Sequence, residues 1–365
     1  MIEFGKEGGM IIEELIFLKQ EMVQTNAVWI FDLIKFETGQ NYEYAYYIWK
    51  EGGIIQRFPY KKIVENTLTI SYNVTESGNY KCQVFIKKKK KLIINRNTDI
   101  CPIDRMNKKI MKTTYYNEQV YFNDVPVRYV FKESPIKSDI LVICFSGISS
   151  KEFKGGPPVY NYIKTLDGLP IHRLYILDDF QNKFCYYLGK KGNREFERAI
   201  NSLITATANE LEIASQNIIS TGSSKGGTAA LYYALTYNYG HAIVGAPQIK
   251  ISDFLKSVCK NKYMRKVYTF LHGENEKEMS EYYNTLLFMR MACNKKRPEL
   301  FFHIGDQDYH YKEHLLPYLN YCDSVNVAYH LDIQSYSDHS QTGSFFSPFL
   351  RKTLTDILNN KRGKK

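Results

Sequence analysis

A chain of 365 residues, 44% hydrophobic and 24% charged, has the composition of a folded protein with a large core and exceeds one average domain. Its seven cysteines (Cys82, Cys101, Cys144, Cys185, Cys259, Cys293 and Cys322) are odd in number and form no C-x-x-C pair, which argues against a disulfide framework or a cysteine metal site and for a reducing compartment. The formal net charge of +11 is concentrated partly at Lys87 to Lys91 and at Lys361-Arg362-Gly363-Lys364-Lys365; such blocks form solvated faces or attract anionic lipid, an acidic polysaccharide or a phosphate-bearing donor, and no nucleic-acid motif accompanies them.

The start, Met1 to Met10, carries Glu3, Lys6 and Glu7 rather than a basic stretch before an apolar one, and no run approaches a membrane span. A cytoplasmic protein is expected, with peripheral attachment to the inner face of the membrane open to its basic segments. Met10 to Met22 reads as a helix. From about Asn41 to Asn95, short β-rich runs alternate with turn signals such as Gly52-Gly53 and Ser77-Gly78-Asn79, the pattern of a small antiparallel sandwich. Glu76-Ser77-Gly78-Asn79-Tyr80-Lys81-Cys82 resembles a late-strand signature of immunoglobulin-like domains, with Trp49 as core tryptophan; the earlier cysteine partner is missing, as in a reduced variant. A linker containing Pro102 follows from about Asn95 to Thr113. The expected division is residues 1–110, carrying the helix, sandwich and linker, and residues 111–365, carrying the chemistry.

Beyond Thr114, strands at about Gln119 to Phe122, Val127 to Phe131, Ile140 to Phe145, Arg173 to Leu177, Ile218 to Ser220, Ala242 to Val244, Leu300 to Ile304 and Val325 to Leu331 alternate with helices. That alternation predicts an α/β, doubly wound, mostly parallel sheet of α/β-hydrolase type covered on both faces. Asp178 and Asp179 fall where the fourth of these strands meets the ligand-binding edge, so they are candidates to hold a substrate hydroxyl or to form a turn. The helix from Glu195 to Asn209, with Phe196, Ile200, Leu203 and Ile204 on one face, reads as scaffold.

The apolar Ile218-Ile219 runs into Gly222-Ser223-Ser224-Lys225-Gly226-Gly227-Thr228 and then into an alanine-rich helix. This is the strand-turn-helix setting of G-x-S-x-G, whose glycines permit the tight turn that exposes the central hydroxyl, so Ser224 is the candidate nucleophile. The bland alternative is a glycine-rich helix cap. A phosphate-binding loop fits poorly, because Lys225 precedes the second glycine instead of following it. A serine hydroxyl needs a base and a group that orients the base, arriving in the order acid then histidine. Gly305-Asp306-Gln307-Asp308 after one strand offers Asp308, with Asp306 as the alternative acid, and His339 lies in a polar loop beyond the last strand. The oxyanion donors would be the backbone NH of Lys225 and that of Gly147 or Ile148, in the loop after Ile140 to Phe145. No metal site is evident.

With these segments in hand, including Tyr187-Leu188-Gly189, residues 114 to 360 resemble α/β-hydrolase-like proteins of bacterial surface-glycan systems, most clearly over Ser220 to Leu235. Similar families are the capsular-polysaccharide-biosynthesis proteins and the acetyltransferase-like component of the accessory Sec system. The resemblance implies acyl transfer or ester hydrolysis on a glycan or glycoprotein by Ser224, His339 and Asp308. O-acetyl transfer to a capsular glycan is the leading expectation, with acetyl-CoA as candidate donor and no tightly bound cofactor. Esterase action by the same residues, a non-catalytic glycan-binding or assembly factor, and a glycosyltransferase relying on Asp178-Asp179 are the alternatives.

Overall fold

A computed structural model describes residues 13–36, 41–293 and 296–362, so Met10-Ile11-Ile12 and the terminal Gly363-Lys364-Lys365 lie outside the described residues. The chain divides into two compact units, Met1–Phe122 and Asn123–Lys365.

Among the described residues the regular elements of the first unit are all strands. Its strands are β1 (Glu14–Val23), β2 (Asn26–Ile34), β3 (Tyr42–Lys50), β4 (Gly53–Lys62), β5 (Thr67–Asn73), β6 (Gly78–Lys88), β7 (Lys91–Asn97), β8 (Cys101–Asp104), β9 (Lys109–Ile110) and β10 (Gln119–Tyr121). β1, β2 and β5 make one antiparallel sheet; β4, β3, β6, β8 and β9 make a second, with β7 also on β6. Side chains from both enclose one core, including Trp29, Phe31, Ile70, Tyr80, Cys82 and Val84. The helix expected over Met10 to Met22 is instead β1: Glu14 to Val23 pairs with β2, whose aromatic and branched residues offer a ladder that overrides helix propensity. The core tryptophan is Trp29, fully buried on β2, whereas Trp49 is half-buried and donates to Gln83 Oε1 at 3.1 Å.

Tyr80, two residues before Cys82, donates its hydroxyl to the Glu76 carbonyl at 2.9 Å, the geometry of a tyrosine corner. The stretch expected as a linker carries β8, which pairs with β6 and buries Cys101 and Ile103; the charges around them masked this short strand. The lysine block is a hairpin turn between β6 and β7. Lys89 and Lys90 adopt positive φ at its tip, Lys87 Nζ rests 3.7 Å from the Tyr60 ring centre, and Lys88 pairs with Glu13 at 2.6 Å.

The second unit is a sheet with helices on both faces. Its elements are β11 (Val127–Lys132), β12 (Leu141–Phe145), β13 (His172–Ile176), α1 (Glu195–Glu210), β14 (Ile218–Ser223), α2 (Lys225–Tyr237), β15 (His241–Gly245), α3 (Ile251–Ser257), α4 (Lys262–His272), α5 (Glu276–Cys293), β16 (Glu299–Gly305), α6 (Leu316–Ser324), β17 (His330–Gln334) and α7 (Thr342–Arg362). Within it the strand order is β11-β13-β12-β14-β15-β16-β17, with β11 antiparallel to β13 and the others parallel.

β12, β13 and β14 are buried along their whole length, as strands covered on both faces must be. The last strand starts five residues later than expected. Val325 to Val327 instead closes α6, with Asn326 at φ 54° in the left-handed conformation that ends helices. Between β15 and β16 the chain makes an excursion of three helices, α3 to α5. Among the described residues no helix is long and apolar enough to cross a membrane.

Candidate active site

The turn from β14 to α2 places Ser224 at φ 54° and ψ −127°, a backbone conformation that side chains rarely adopt and that pushes the hydroxyl out of the sheet edge. The glycines on either side make this possible. A Cβ on Gly226 would sit 2.2 Å from the Phe145 carbonyl oxygen, and one on Gly222 would sit 2.6 Å from Gly226 and Phe145 backbone atoms. The Ser224 amide donates to the Gly245 carbonyl at 2.9 Å, which locks the turn to β15.

Ser224 Oγ lies 3.0 Å from His339 Nε2, and His339 Nδ1 lies 2.7 Å from Asp308 Oδ2. A carboxylate only accepts, so Nδ1 carries the proton toward Asp308 and Nε2 is the acceptor for the serine O–H. His339 follows β17 in a short turn capped by Asp338, whose side chain accepts from the Ser340 amide at 2.9 Å. Asp308 is buried at the end of the loop after β16, whereas Asp306 is exposed and donates its amide to the Gln334 carbonyl at 2.9 Å. The structure therefore brings Asp308, not Asp306, to the imidazole.

Burial works to raise the Asp308 carboxyl, but hydrogen bonds from His310 and His339 outweigh it and hold the group well below the usual carboxylate range. Asp308 Oδ1 accepts from the His310 amide at 3.0 Å and from His310 Nδ1 at 3.1 Å. Asp308, His310 and His339 bring ligand-type atoms within 4.8 Å of one another, yet the carboxylate oxygens face N–H groups, so the cluster reads as a hydrogen-bond network.

Two residues missing from the sequence reading complete the surroundings. Gln248, after β15, donates Nε2 to Ser224 Oγ at 2.9 Å and accepts from the Tyr186 hydroxyl at 2.6 Å. His310 stacks on His339 with ring centres 3.8 Å apart. Gln248 was findable by position, since it follows a strand at the same sheet edge; Asp-x-His was findable by spacing.

One of the expected oxyanion donors is engaged elsewhere. Lys225 opens α2, so its amide has no acceptor within the helix. The Gly147 amide is taken by Asn161 Oδ1 at 2.8 Å, which removes it from the candidates and leaves Ile148 beside it.

Asp178 and Asp179, expected to hold a substrate hydroxyl or form a turn, are both engaged in ion pairs within the protein. Asp178 is buried, accepts from the Cys185 amide at 2.9 Å and pairs with Lys225 Nζ at 3.1 Å; Asp179 pairs with Arg128 at 2.7 Å. Lys225 is fully buried, reaches Glu152 at 3.5 Å as well, and has the rings of Phe184 and Tyr187 at 5.0 and 5.2 Å. Burial opposes its charge, but Asp178 and Glu152 more than offset it, so its ammonium titrates above the ordinary value. Burial pushes the Glu152 carboxyl up, with Lys225 offsetting part of the effect.

Ser224, Gln248, Asp308, His339 and the loop bearing Ile148 all follow the carboxyl ends of neighbouring strands, where ligands bind in such sheets. A separate cleft of about 730 Å³, lined by residues including His241, Glu299, His330 and Lys352, lies at the opposite end of β15 to β17 and holds none of them.

A family model described as the accessory Sec system GspB-transporter matches residues 106–269. No curated protein matches the chain. Among solved structures, capsule O-acetyltransferase of Neisseria meningitidis serogroup A is 21% identical over 67% of this chain and 96% of its own, with a TM-score of 0.57. A histidine-to-alanine variant of that enzyme in complex with CoA is likewise 21% identical over 65% of this chain and 94% of its own, with a TM-score of 0.55. The Glycosylation Associate Protein (Gap123) complex from Streptococcus agalactiae is 16% identical over 94% of this chain and 65% of its own, with a TM-score of 0.54. Strand order, elbow and likeness agree: the chain carries a unit with an α/β-hydrolase-type fold, similar to capsule O-acetyltransferase in structure and, over residues 106–269, to the GspB-transporter family of the accessory Sec system.

Proposed function

We propose that the chain is a serine-dependent acyl enzyme acting on a bacterial surface glycan, and specifically an O-acetyltransferase that works through an acyl-serine. The observation that carries this reading is the continuous relay from Ser224 through His339 to a buried Asp308. In the first half-reaction His339 takes the hydroxyl proton as Ser224 Oγ attacks the thioester carbon of acetyl-CoA. The carbon–sulfur bond breaks, and His339 gives the proton to the departing sulfur, so CoA leaves as the thiol and the imidazole is neutral again. In the second, a sugar hydroxyl gives its proton to His339, attacks the acetyl carbon and releases Ser224, which recovers that proton. The amides of Lys225 and Ile148 would face the oxyanion in both steps.

Acetyl-CoA as donor is supported by the CoA complex of the similar capsule enzyme and by the chain's net charge of +11, which suits a polyphosphate donor. Water in place of the sugar would make the same intermediate an esterase's. The likeness to the Gap123 complex supports protein partners in a glycoprotein pathway, and the reading assigns the chain to the cytoplasm, where acyl-CoA is available. We also read the first unit as an immunoglobulin-like sandwich, on the strength of its shared two-sheet core and tyrosine corner.

The test is labelling by a fluorophosphonate probe, followed by CoA release from acetyl-CoA with and without glycan acceptors. Wild-type protein should label and Ser224→Ala should not. Failure of the wild type to label, or equal labelling of both, overturns the catalytic reading. CoA release that ignores every acceptor favours hydrolysis.

A further inference from the structure

His310 is a residue the relay does not require, yet it is built into it from three sides. It is fully buried, its amide and its Nδ1 both reach Asp308 Oδ1, and its ring lies against that of His339 with an interplanar angle of 23°. Because a carboxylate only accepts, the proton of neutral His310 must sit on Nδ1, which leaves Nε2 as a bare acceptor; Nε2 is buried without a hydrogen-bond partner. A buried nitrogen with an unused lone pair is costly, and that cost is tolerated where the other nitrogen has a task.

We propose that His310 is a positioning residue for the acyl chemistry: its Nδ1–H and its own backbone NH pin one oxygen of the Asp308 carboxylate, so that the other stays aimed at His339. With the backbone NH as its sole partner at Oδ1, the carboxylate would be freer to turn about its last bond and carry the imidazole out of line with Ser224. The Nδ1–H adds the second donor that fixes it. The stacked ring adds a floor beneath His339, which is otherwise a quarter exposed. The groups facing His310 are Asp308, His339, His314, Tyr309 and the ring of Phe254 on α3. His314 in turn feels Lys250.

Burial lowers His310 to about 4 and His314 to about 3, so both are neutral at physiological pH, and the only histidine of the cluster bonded to Ser224 is His339. A neutral ring against His339 accommodates the imidazolium that forms during acylation without adding a second charge.

The inference rests on the Ser224 reading, and the experiment separates the two. The second-order rate of fluorophosphonate labelling is measured between pH 5 and 9 for wild type, His310→Phe and His310→Asn, with thermal unfolding as a check on folding. Phenylalanine keeps the stacked ring and loses the donor; asparagine places an amide N–H near the position of Nδ1 and loses the ring. His310→Phe should label about 10- to 100-fold more slowly, the usual cost of an outer hydrogen-bond partner of a working side chain, with its acid limb displaced, while His310→Asn retains most of the rate.

If His310→Phe does not fold, His310→Leu takes its place with the same expectation. A wild type that fails to label overturns the reading of Ser224. A wild type that labels, beside a donorless variant with an unchanged rate and pH profile, or an asparagine variant slower than phenylalanine, overturns the role given to His310.

Discussion

Replacing Lys225 by methionine removes a cation from a site with no solvent contact and keeps nearly the same volume. Its attraction to Asp178 at 3.1 Å and to Glu152 at 3.5 Å is about 5 kcal/mol each at an effective dielectric constant near 20, before the cost of burying the charges. Buried pairs return most of that attraction as desolvation, but breaking one by deleting a single partner strands the other charge and costs about 3–5 kcal/mol. For a unit of this size that corresponds to a fall in Tm of roughly 6–20 °C.

Calorimetric scans of Lys225→Met, Asp178→Asn and the double variant give the result directly. The double variant should recover part of the loss, because one of the two stranded carboxylates is gone and only Glu152 remains. Glu152 fixes the sign of the pH dependence. Its folded-state carboxyl titrates above the ordinary 4.5, so the folded protein binds extra protons between the two values and loses stability as pH climbs through that window. Without the cation the window widens, and Lys225→Met should gain stability as pH falls from 7 toward 4.5. A Tm within about 2 °C of wild type, or losses that simply add in the double variant, would refute the reasoning.

The other expectations concern the relay and its surroundings. Asp308→Asn should lower kcat or labelling by about 10⁴-fold, whereas Asp306→Asn should stay within about twofold, measured side by side with the fluorophosphonate probe. Gln248→Ala removes a donor to Ser224 Oγ and leaves the Tyr186 hydroxyl unpaired, and should slow labelling by about 10- to 100-fold; an unchanged rate makes that contact incidental. Buried neutral His310 and His314 contribute stability that is complete above pH 6.5 and is lost as pH falls toward about 4 and 3. His314→Gln, which can still accept from the Lys250 amide, should flatten the decline in unfolding free energy by up to about 1.4 kcal/mol per pH unit between 6 and 4.

The residues of the candidate relay were more legible in the sequence than the framework that holds them. Ser224, Asp308 and His339 could be read because an elbow requires small residues and a fixed chain order. The choice between Asp308 and Asp306 could not, because it depends on which carboxylate the backbone turns inward. The partners of Asp178 and Asp179 could not be read, because a carboxylate at a strand end looks the same in sequence whether it faces a ligand or a cation of its own chain. Lys225 offered only its backbone to sequence reasoning, and the depth of its side chain is a tertiary fact. The strand β1 and the short β8 were hidden for a related reason: each takes its structure from the ladder it joins, and neither has enough periodicity to announce itself.

The three-helix excursion between β15 and β16 separates two tasks that evolution can then alter independently. The relay hangs from strand ends that a fully paired sheet holds fixed, while Asn261, capping α4, reaches the Phe153 carbonyl beyond Ile148 and links the excursion to the loop that bears the candidate oxyanion donor. On the acyl-enzyme reading, exchanging α4 and α5 between related chains would change what supports that loop while Ser224, His339 and Asp308 stayed on their strand ends. Under the proposed function, a lineage could then change its acceptor while the groups that activate Ser224 stayed the same.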